Sequence, residues 1–228
     1  MIQNITGKDI SSLPHVFLDL DGTIAKSGDG CIGGVKYMFD QIGLKETCDE
    51  RINAFVGPTI KVHLQQAYGF SAEDAASAYV HYREYYDNHG IFENQPYDGI
   101  EEAVRGFVRA GKTVYVATLK PQDQAERILR IFGFADLFSG IYGARHDLGI
   151  LHKEEVLDGA VAAHGLDPKA CVIAGDRDYD VFAGKHVGMG TVGLLYGYGS
   201  FEELHSAGAD IIADTIEDLT QILGGQNI

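Results

Sequence analysis

The first apolar run of the chain, 16–20, leads into Asp19-Leu20-Asp21-Gly22-Thr23. Two carboxylates one residue apart at the exit of a buried strand repel each other and are costly to bury, unless a cation or a shared proton relieves them. Comparable groups close later apolar runs: Thr118, then Gly175-Asp176 with Asp180 four residues on, while Lys153 opens an intervening helical stretch. Four carboxylates, a hydroxyl and an ammonium are therefore expected at one edge of one sheet. Such an oxygen-rich set suits Mg²⁺, which prefers carboxylates, carbonyls, water and phosphate oxygens to a complete protein cage. Taken singly, Asp21-Gly22 and Gly175-Asp176 also read as turns, since Asp-Gly pairs are common turn formers.

The elements that must hold these groups follow from periodicity. Apolar runs at 16–20, 113–119, 141–142, 171–174, 191–195 and 211–213 are mostly β-branched and do not alternate, the pattern of strands buried on both faces of a parallel sheet. Between them, 99–110, 121–132 and 153–164 carry helix start and stop signals. The alternation predicts an α/β fold with a central parallel sheet flanked by helices. From about 33 to 89 no strand pattern occurs, only helical ones such as 59–68 and 72–88, the latter opened by Ser71 with Asp74 three residues on. This predicts a core of 1–30 and 96–228 with a small α-helical domain inserted at 31–95. An insertion leaving the first strand at its carboxyl end is expected to cover the ligand site there as a lid. Tyr79, Tyr82, Tyr85 and Tyr86 recur at helical spacing and read most simply as a packing stripe, with ligand stacking as the alternative.

Composition narrows the partners. Among 228 residues, 18 basic and 33 acidic side chains give 18 − 33 = −15, with 45% hydrophobic residues. That apolar content supplies a core and excludes the disordered class. The charge argues against nucleic-acid polymers and anionic membranes as partners, and an acidic substrate needs local compensation. The N-terminal stretch 1–12 lacks the signature of a secretory signal, and no run approaches the roughly 18 apolar residues of a membrane span, so a cytoplasmic protein is expected. Cys31, Cys48 and Cys171 have no metal-ligand spacing and read as reduced thiols.

Asp19-x-Asp21-Gly-Thr, Thr118, Lys153 and Gly175-Asp176-x-x-x-Asp180, in this order and on these elements, resemble the four motifs of the haloacid dehalogenase superfamily. The likeness spans nearly the whole chain. It implies a Rossmann-like core and identifies 31–95 with the superfamily's helical cap. The segments Tyr82–Tyr86, Glu93-Asn94, 116–121, Gly175-Asp-Arg177 and Tyr196-Gly-Tyr-Gly199 with 201–204 are similar to the phosphoglycolate phosphatase-like branch, whose bacterial members include phosphoglycolate phosphatases and 5′-nucleotidases. The resemblance implies a phosphatase in which Asp19 attacks phosphorus, Asp21 protonates the leaving oxygen and later activates water, and Thr118 with the Leu119 N–H binds phosphoryl oxygens. Lys153 neutralises charge on the phosphoryl group and Asp19. Asp19, Asp176 and the Asp21 carbonyl hold Mg²⁺, with Asp180 orienting a metal-bound water or Lys153.

Around these motifs, Lys120 and Arg177 either bind a distal anion of the substrate or pair with nearby carboxylates. Leu119 stands where relatives more often carry a small residue, which is expected to alter pocket shape. The stretch 145–152 departs from the branch's usual pattern, and its His146 and His152 read as surface histidines because Asp21 already supplies acid–base chemistry. In the insertion, Pro58 and Lys61 flank a helix start that favours an anionic group, the alternative being a lysine facing solvent. The expected substrate is a small anionic phosphorylated metabolite, nominally 2-phosphoglycolate, handled by a monomer or homodimer. The alternatives are a 5′-nucleotidase, a β-phosphoglucomutase-like mutase, and a non-catalytic binding protein. Asp21 together with Asp176 argues against a metal-independent dehalogenase.

Overall fold

The structure is a computed structural model in which residues 1–145 and 147–224 are described, so His146 lies outside the described residues. The chain opens with β1 (Ile2–Asn4), β2 (His15–Leu18) and β3 (Ala25–Lys26). It passes through α1 (Gly28–Gln41), α2 (Asp49–Asn53), α3 (Ile60–Tyr68) and α4 (Ala72–Asn88), and returns by β4 (Gln95–Pro96). Helix and strand then alternate as α5 (Ile100–Arg109), β5 (Thr113–Pro121), α6 (Gln122–Phe132), β6 (Gly140–Ala144), α7 (Lys153–His164) and β7 (Cys171–Gly175). The chain finishes with α8 (Asp178–Val187), β8 (Gly190–Leu194), α9 (Phe201–Ala207), β9 (Ile211–Ala213) and α10 (Ile216–Leu223). It divides into two units, Met1–Ala25 together with the chain from Pro96 onward, and Lys26–Gln95.

In the first unit seven strands form one sheet in the order β1-β9-β8-β7-β2-β5-β6, parallel throughout except for β1 against β9. The inner strands are buried on both faces, which is why β7 and β8 read as unbroken apolar or small-residue runs. Phe17 stacks on Tyr115 with ring centroids 4.7 Å apart and lies in a core with Val156, Leu157, Ile173 and Met189. Two boundaries differ from the sequence expectation at the site itself. β2 ends at Leu18, so Asp19 stands just beyond it, although its N–H still bonds the Ala174 carbonyl at 3.0 Å. β5 runs on to Pro121, with its pairing to β6 interrupted between Ala117 and Pro121. The antiparallel edge strand β1 gives no apolar signal of its own; it is held by pairing with β9.

The strand order also selects the ligand edge. From β2 the chain continues to β5 and β6 on one side, and then crosses to β7, β8 and β9 on the other. Loops leaving β2, β5 and β7 therefore diverge from a common switch point, where ligands of open α/β sheets bind.

In the second unit α4 carries the tyrosine stripe. Tyr82 and Tyr86 are buried, and their rings stack 5.5 Å apart at 15°, with Tyr79 stacked 5.7 Å from Tyr82. The Tyr86 hydroxyl meets Asn94, so the stripe packs the interior of this unit. The Ser71 hydroxyl accepts the Asp74 N–H at 3.0 Å and caps α4. Ser71→Ala is expected to cost about 1 kcal/mol of stability. Urea unfolding of the intact chain measures it, and an unchanged midpoint would deny the cap its role.

Among the described residues no helix is long and apolar enough to cross a membrane. Among the described residues Cys31, Cys48 and Cys171 form no disulfide.

Candidate active site

Asp19 and Asp176 directly follow the carboxyl ends of β2 and β7, and Thr118 lies within β5, toward its carboxyl end, on the other side of β2. Pairing of Leu18 with Val116 on one side and Ala174 on the other sets all three residues at one level. Lys153 is delivered from elsewhere, as the first residue of α7. The Glu155 carboxylate accepts the Leu151 and His152 N–H groups at 2.8 and 3.0 Å, satisfying donors at that helix start while the lysine turns inward. His152 itself is exposed.

The result is a buried ionic cluster. Lys153, 1% exposed, places Nζ 2.7 Å from Asp19 Oδ1 and 2.7 Å from Asp180 Oδ1. Asp19, Asp176 and Asp180 each offer one carboxylate oxygen, and the three atoms lie within 4.8 Å of one another. Three carboxylates against one ammonium leave a formal charge of −2. Burial pushes the Asp176 carboxyl well above its ordinary range, and the neighbouring Asp180 and Asp19 charges add to that. Burial likewise pushes Asp180 up to about 7, against the pull of the Lys153 charge. For Lys153 burial acts downward, but Asp180 and Asp19 outweigh it and raise the ammonium's pKa.

A divalent cation fits this cluster. All the donors are oxygens, the excess charge is −2 when all three carboxyls are ionised, and Asp176 Oδ1 is buried with no hydrogen-bond partner among the described residues. Asp19 and Asp176 would hold such an ion, with Asp180 beside them already engaged by Lys153 and by the Arg177 N–H at 3.2 Å.

Asp21 takes a different direction. Its carboxylate is not part of the three-oxygen group but is gripped by Lys120, whose Nζ lies 3.0 Å from Oδ1 and 2.9 Å from Oδ2. Lys120 is thus ion-paired with Asp21 in this structure. Thr118 is buried, and its Oγ accepts the Lys120 N–H at 3.2 Å, which leaves the hydroxyl proton available to another acceptor. Leu119, half-buried, lies in the stretch where the β5–β6 pairing is interrupted, the kind of irregularity that frees backbone groups beside a site. Arg177 is paired with Glu203 at 2.7 Å and lies 5.7 Å from the Tyr179 ring centroid. Pro58 and Lys61 belong to the helical unit, where Lys61 Nζ is 5.5 Å from the Tyr79 ring centroid.

Several neighbours of the cluster carried no assigned role in the sequence. Gly22 has φ +78°, and a Cβ there would fall 2.1 Å from Asp176 Oδ2, so both the turn and the close approach require glycine. Thr23 is buried, and its hydroxyl oxygen has no hydrogen-bond partner among the described residues. The Tyr198 N–H donates to Asp176 Oδ2 at 2.7 Å, and the Tyr196 hydroxyl donates to the Thr23 carbonyl at 3.1 Å. Tyr97 meets Tyr196 edge-on at 5.1 Å. Gly22 and Thr23 were visible as part of the Asp19-x-Asp21-Gly-Thr motif and Tyr196 and Tyr198 as part of the Tyr-Gly-Tyr-Gly run, but their contacts with one another and with Asp176 were not, since a backbone N–H leaves no trace in residue type.

Several known proteins are similar to this chain in sequence and structure. Residues 16–194 match the profile of the haloacid dehalogenase-like hydrolases. A 5′-nucleotidase of Pseudomonas aeruginosa is 36% identical over 193 residues, 85% of this chain and 87% of its own. A tyrosine-protein kinase of Mycobacterium tuberculosis is 33% identical over 212 residues, 92% of this chain and 72% of its own. The crystal structure of a predicted phosphatase from Clostridium acetobutylicum superposes with a TM-score of 0.88 at 34% identity, covering 91% of this chain and 96% of that one. With the profile matched over most of its length and the buried carboxylate–lysine cluster at the switch point of the sheet, the chain belongs to the haloacid dehalogenase-like hydrolase family and is a phosphatase.

Proposed function

We propose that the protein hydrolyses phosphomonoesters of small metabolites with the help of Mg²⁺, through an aspartyl-phosphate formed on Asp19. The observation that carries this reading is the buried Asp19 carboxylate, held by Lys153 and facing two further carboxylates. In the first half-reaction an Asp19 oxygen attacks phosphorus, the bond to the leaving oxygen breaks, and Asp21 gives that oxygen a proton. In the second, water attacks phosphorus, Asp21 takes its proton, and the bond to Asp19 breaks, releasing inorganic phosphate. Thr118 and the Leu119 N–H hold phosphoryl oxygens in line, and Lys153 keeps positive charge beside Asp19 throughout. Asp19, Asp176 and the Asp21 carbonyl are the proposed metal ligands, with Asp180 securing Lys153. When bound, Mg²⁺ supplies Lewis-acid neutralisation of charge on the phosphoryl oxygens. In the helical unit, Pro58 and Lys61 are the residues proposed to meet a second anionic group of the substrate.

2-Phosphoglycolate is the nominal substrate. The likeness to a 5′-nucleotidase favours nucleoside monophosphates as a second reading. Both share one chemistry, and a hundredfold preference needs only about 2.7 kcal/mol of differential transition-state binding. The deciding experiment is phosphate release from a panel of phosphoglycolate, nucleoside monophosphates, sugar phosphates and phosphotyrosine, with Mg²⁺ and with EDTA. We expect turnover that EDTA abolishes and added Mg²⁺ restores. Absence of release from every monoester, or release undiminished in EDTA, would contradict the reading.

A further inference from the structure

The Tyr196-Gly197-Tyr198-Gly199 turn lies against Asp176 more closely than any side chain would permit. A Cβ at Gly197 would stand 2.4 Å from the Asp176 Cβ and 2.4 Å from the Gly22 carbonyl oxygen. At Gly199 it would stand 1.9 Å from the Asp176 carbonyl oxygen. Neither glycine has a positive φ, so closeness and not backbone conformation demands the missing side chain. Between them the Tyr198 N–H reaches Asp176 Oδ2 at 2.7 Å, and the Tyr196 hydroxyl ties the turn to the Thr23 carbonyl in the Asp19–Thr23 loop. Gly22 also closes on the same Oδ2. Asp176 is fully buried, one oxygen is thus occupied, and Oδ1 is left without a hydrogen-bond partner among the described residues.

We propose that this turn is a clamp for the cation site: it captures Asp176 Oδ2 with the Tyr198 N–H and so presents Oδ1 to the metal. The turn contributes no ligand of its own and acts as a positioning element through Asp176. Ligating carboxylates held by outer hydrogen bonds lose metal affinity when those partners are removed, typically by about 10–100-fold. The clamp's particular feature is that its donor is a backbone group, protected from loss by ordinary substitution and dependent on two glycines for access. The proposal rests on the cation reading given under the proposed function.

The test is Mg²⁺ binding measured by titration calorimetry on the full chain freed of metal with EDTA, which reads affinity without turnover. Tyr198→Pro removes the donor, and Gly197→Ala forces the turn away from Asp176. Each is expected to weaken Mg²⁺ binding about 10–100-fold. Tyr198→Ala keeps the N–H and is expected to bind within about twofold of the parent, a difference of about 0.4 kcal/mol. Circular dichroism of the metal-free variants checks that each has folded. In the unsubstituted protein, the Tyr198 amide resonance is expected to shift with Mg²⁺ along the calorimetric saturation curve, which tests the clamp even if a variant fails to fold. Normal Mg²⁺ affinity in Tyr198→Pro and Gly197→Ala, with affinity lost in Asp176→Asn, would overturn the clamp and keep the cation site. Normal affinity in Asp176→Asn would overturn both.

Discussion

Asp19→Asn is expected to lower kcat by at least about 10⁴-fold while the protein remains folded. An amide has nearly the shape of the carboxylate, but its oxygen is neutral and does not serve as the nucleophile for phosphorus. Loss of a covalent nucleophile in a hydrolase costs up to about 10⁶-fold, with residual rate coming from the remaining binding groups. Lys153 loses one of its two carboxylate partners and retains Asp180 at 2.7 Å. The cluster changes from three carboxylates against one ammonium to two against one, so its internal repulsion falls. The metal-free variant is accordingly expected to melt no lower than the parent. Phosphate release at saturating substrate and a melting curve in EDTA measure the two effects. Turnover within about tenfold of the parent would remove Asp19 from the nucleophile's role.

The second large effect belongs to Lys153→Met, which keeps an unbranched side chain of most of the length and deletes its charge. Removing one partner of a buried ion pair costs about 3–5 kcal/mol, because the other partner is left buried and uncompensated. For a chain of this size that corresponds to a fall of roughly 6–20 °C in melting temperature without metal. A loss of about 10²–10³-fold in kcat is expected as well, since a charge aimed at the phosphoryl group is gone. The pH dependence follows from Asp180. Its carboxyl is raised in the folded protein from 3.8 to about 7, chiefly by burial. Between those values the folded state holds a proton that the unfolded state has released, so metal-free stability falls as pH rises through this window. Lys153 opposes that rise, so its removal is expected to raise the carboxyl further and extend the decline to higher pH. Melting in EDTA from pH 5 to 8 should show a downward trend for the parent that continues further in the variant. A variant as stable as the parent at pH 8 would mean that Lys153 does not compensate the carboxylates.

Much of the fold was legible because a parallel sheet writes itself into the chain. Runs such as 171–174 are apolar on both faces and bounded by turn residues, and α7 appeared with the bounds Lys153–His164 that its start and stop signals predicted. The carboxylates, Thr118 and Lys153 stood out because each sits at the end of such an element, where a polar group in an apolar context requires a reason. β1 stayed hidden because its order comes from pairing with β9 across the whole chain. β6 was foreseen as a short run at 141–142, because its two glycines and half-buried positions dilute the apolar signal of the observed Gly140–Ala144.

Which carboxylates Lys120 and Arg177 meet was not legible, because those contacts join residues far apart in sequence. Lys120 closes on Asp21, and Arg177 on Glu203. A lysine's type discloses its charge but not which carboxylate its flexible stem will reach.

The sequence by itself determined the α/β class and the order of the motifs, since these depend on residue type and periodicity along one dimension, and the likeness of those motifs to a known superfamily implied the reaction family. Only the tertiary structure decided that Asp19, Asp176, Asp180 and Lys153 share one buried cluster while the Asp21 carboxylate turns aside to Lys120. It also revealed that a glycine-flanked N–H at Tyr198 holds Asp176. Such relations depend on distances of 2.7 to 4.8 Å between groups on different strands and loops, which become defined when packing brings those segments together.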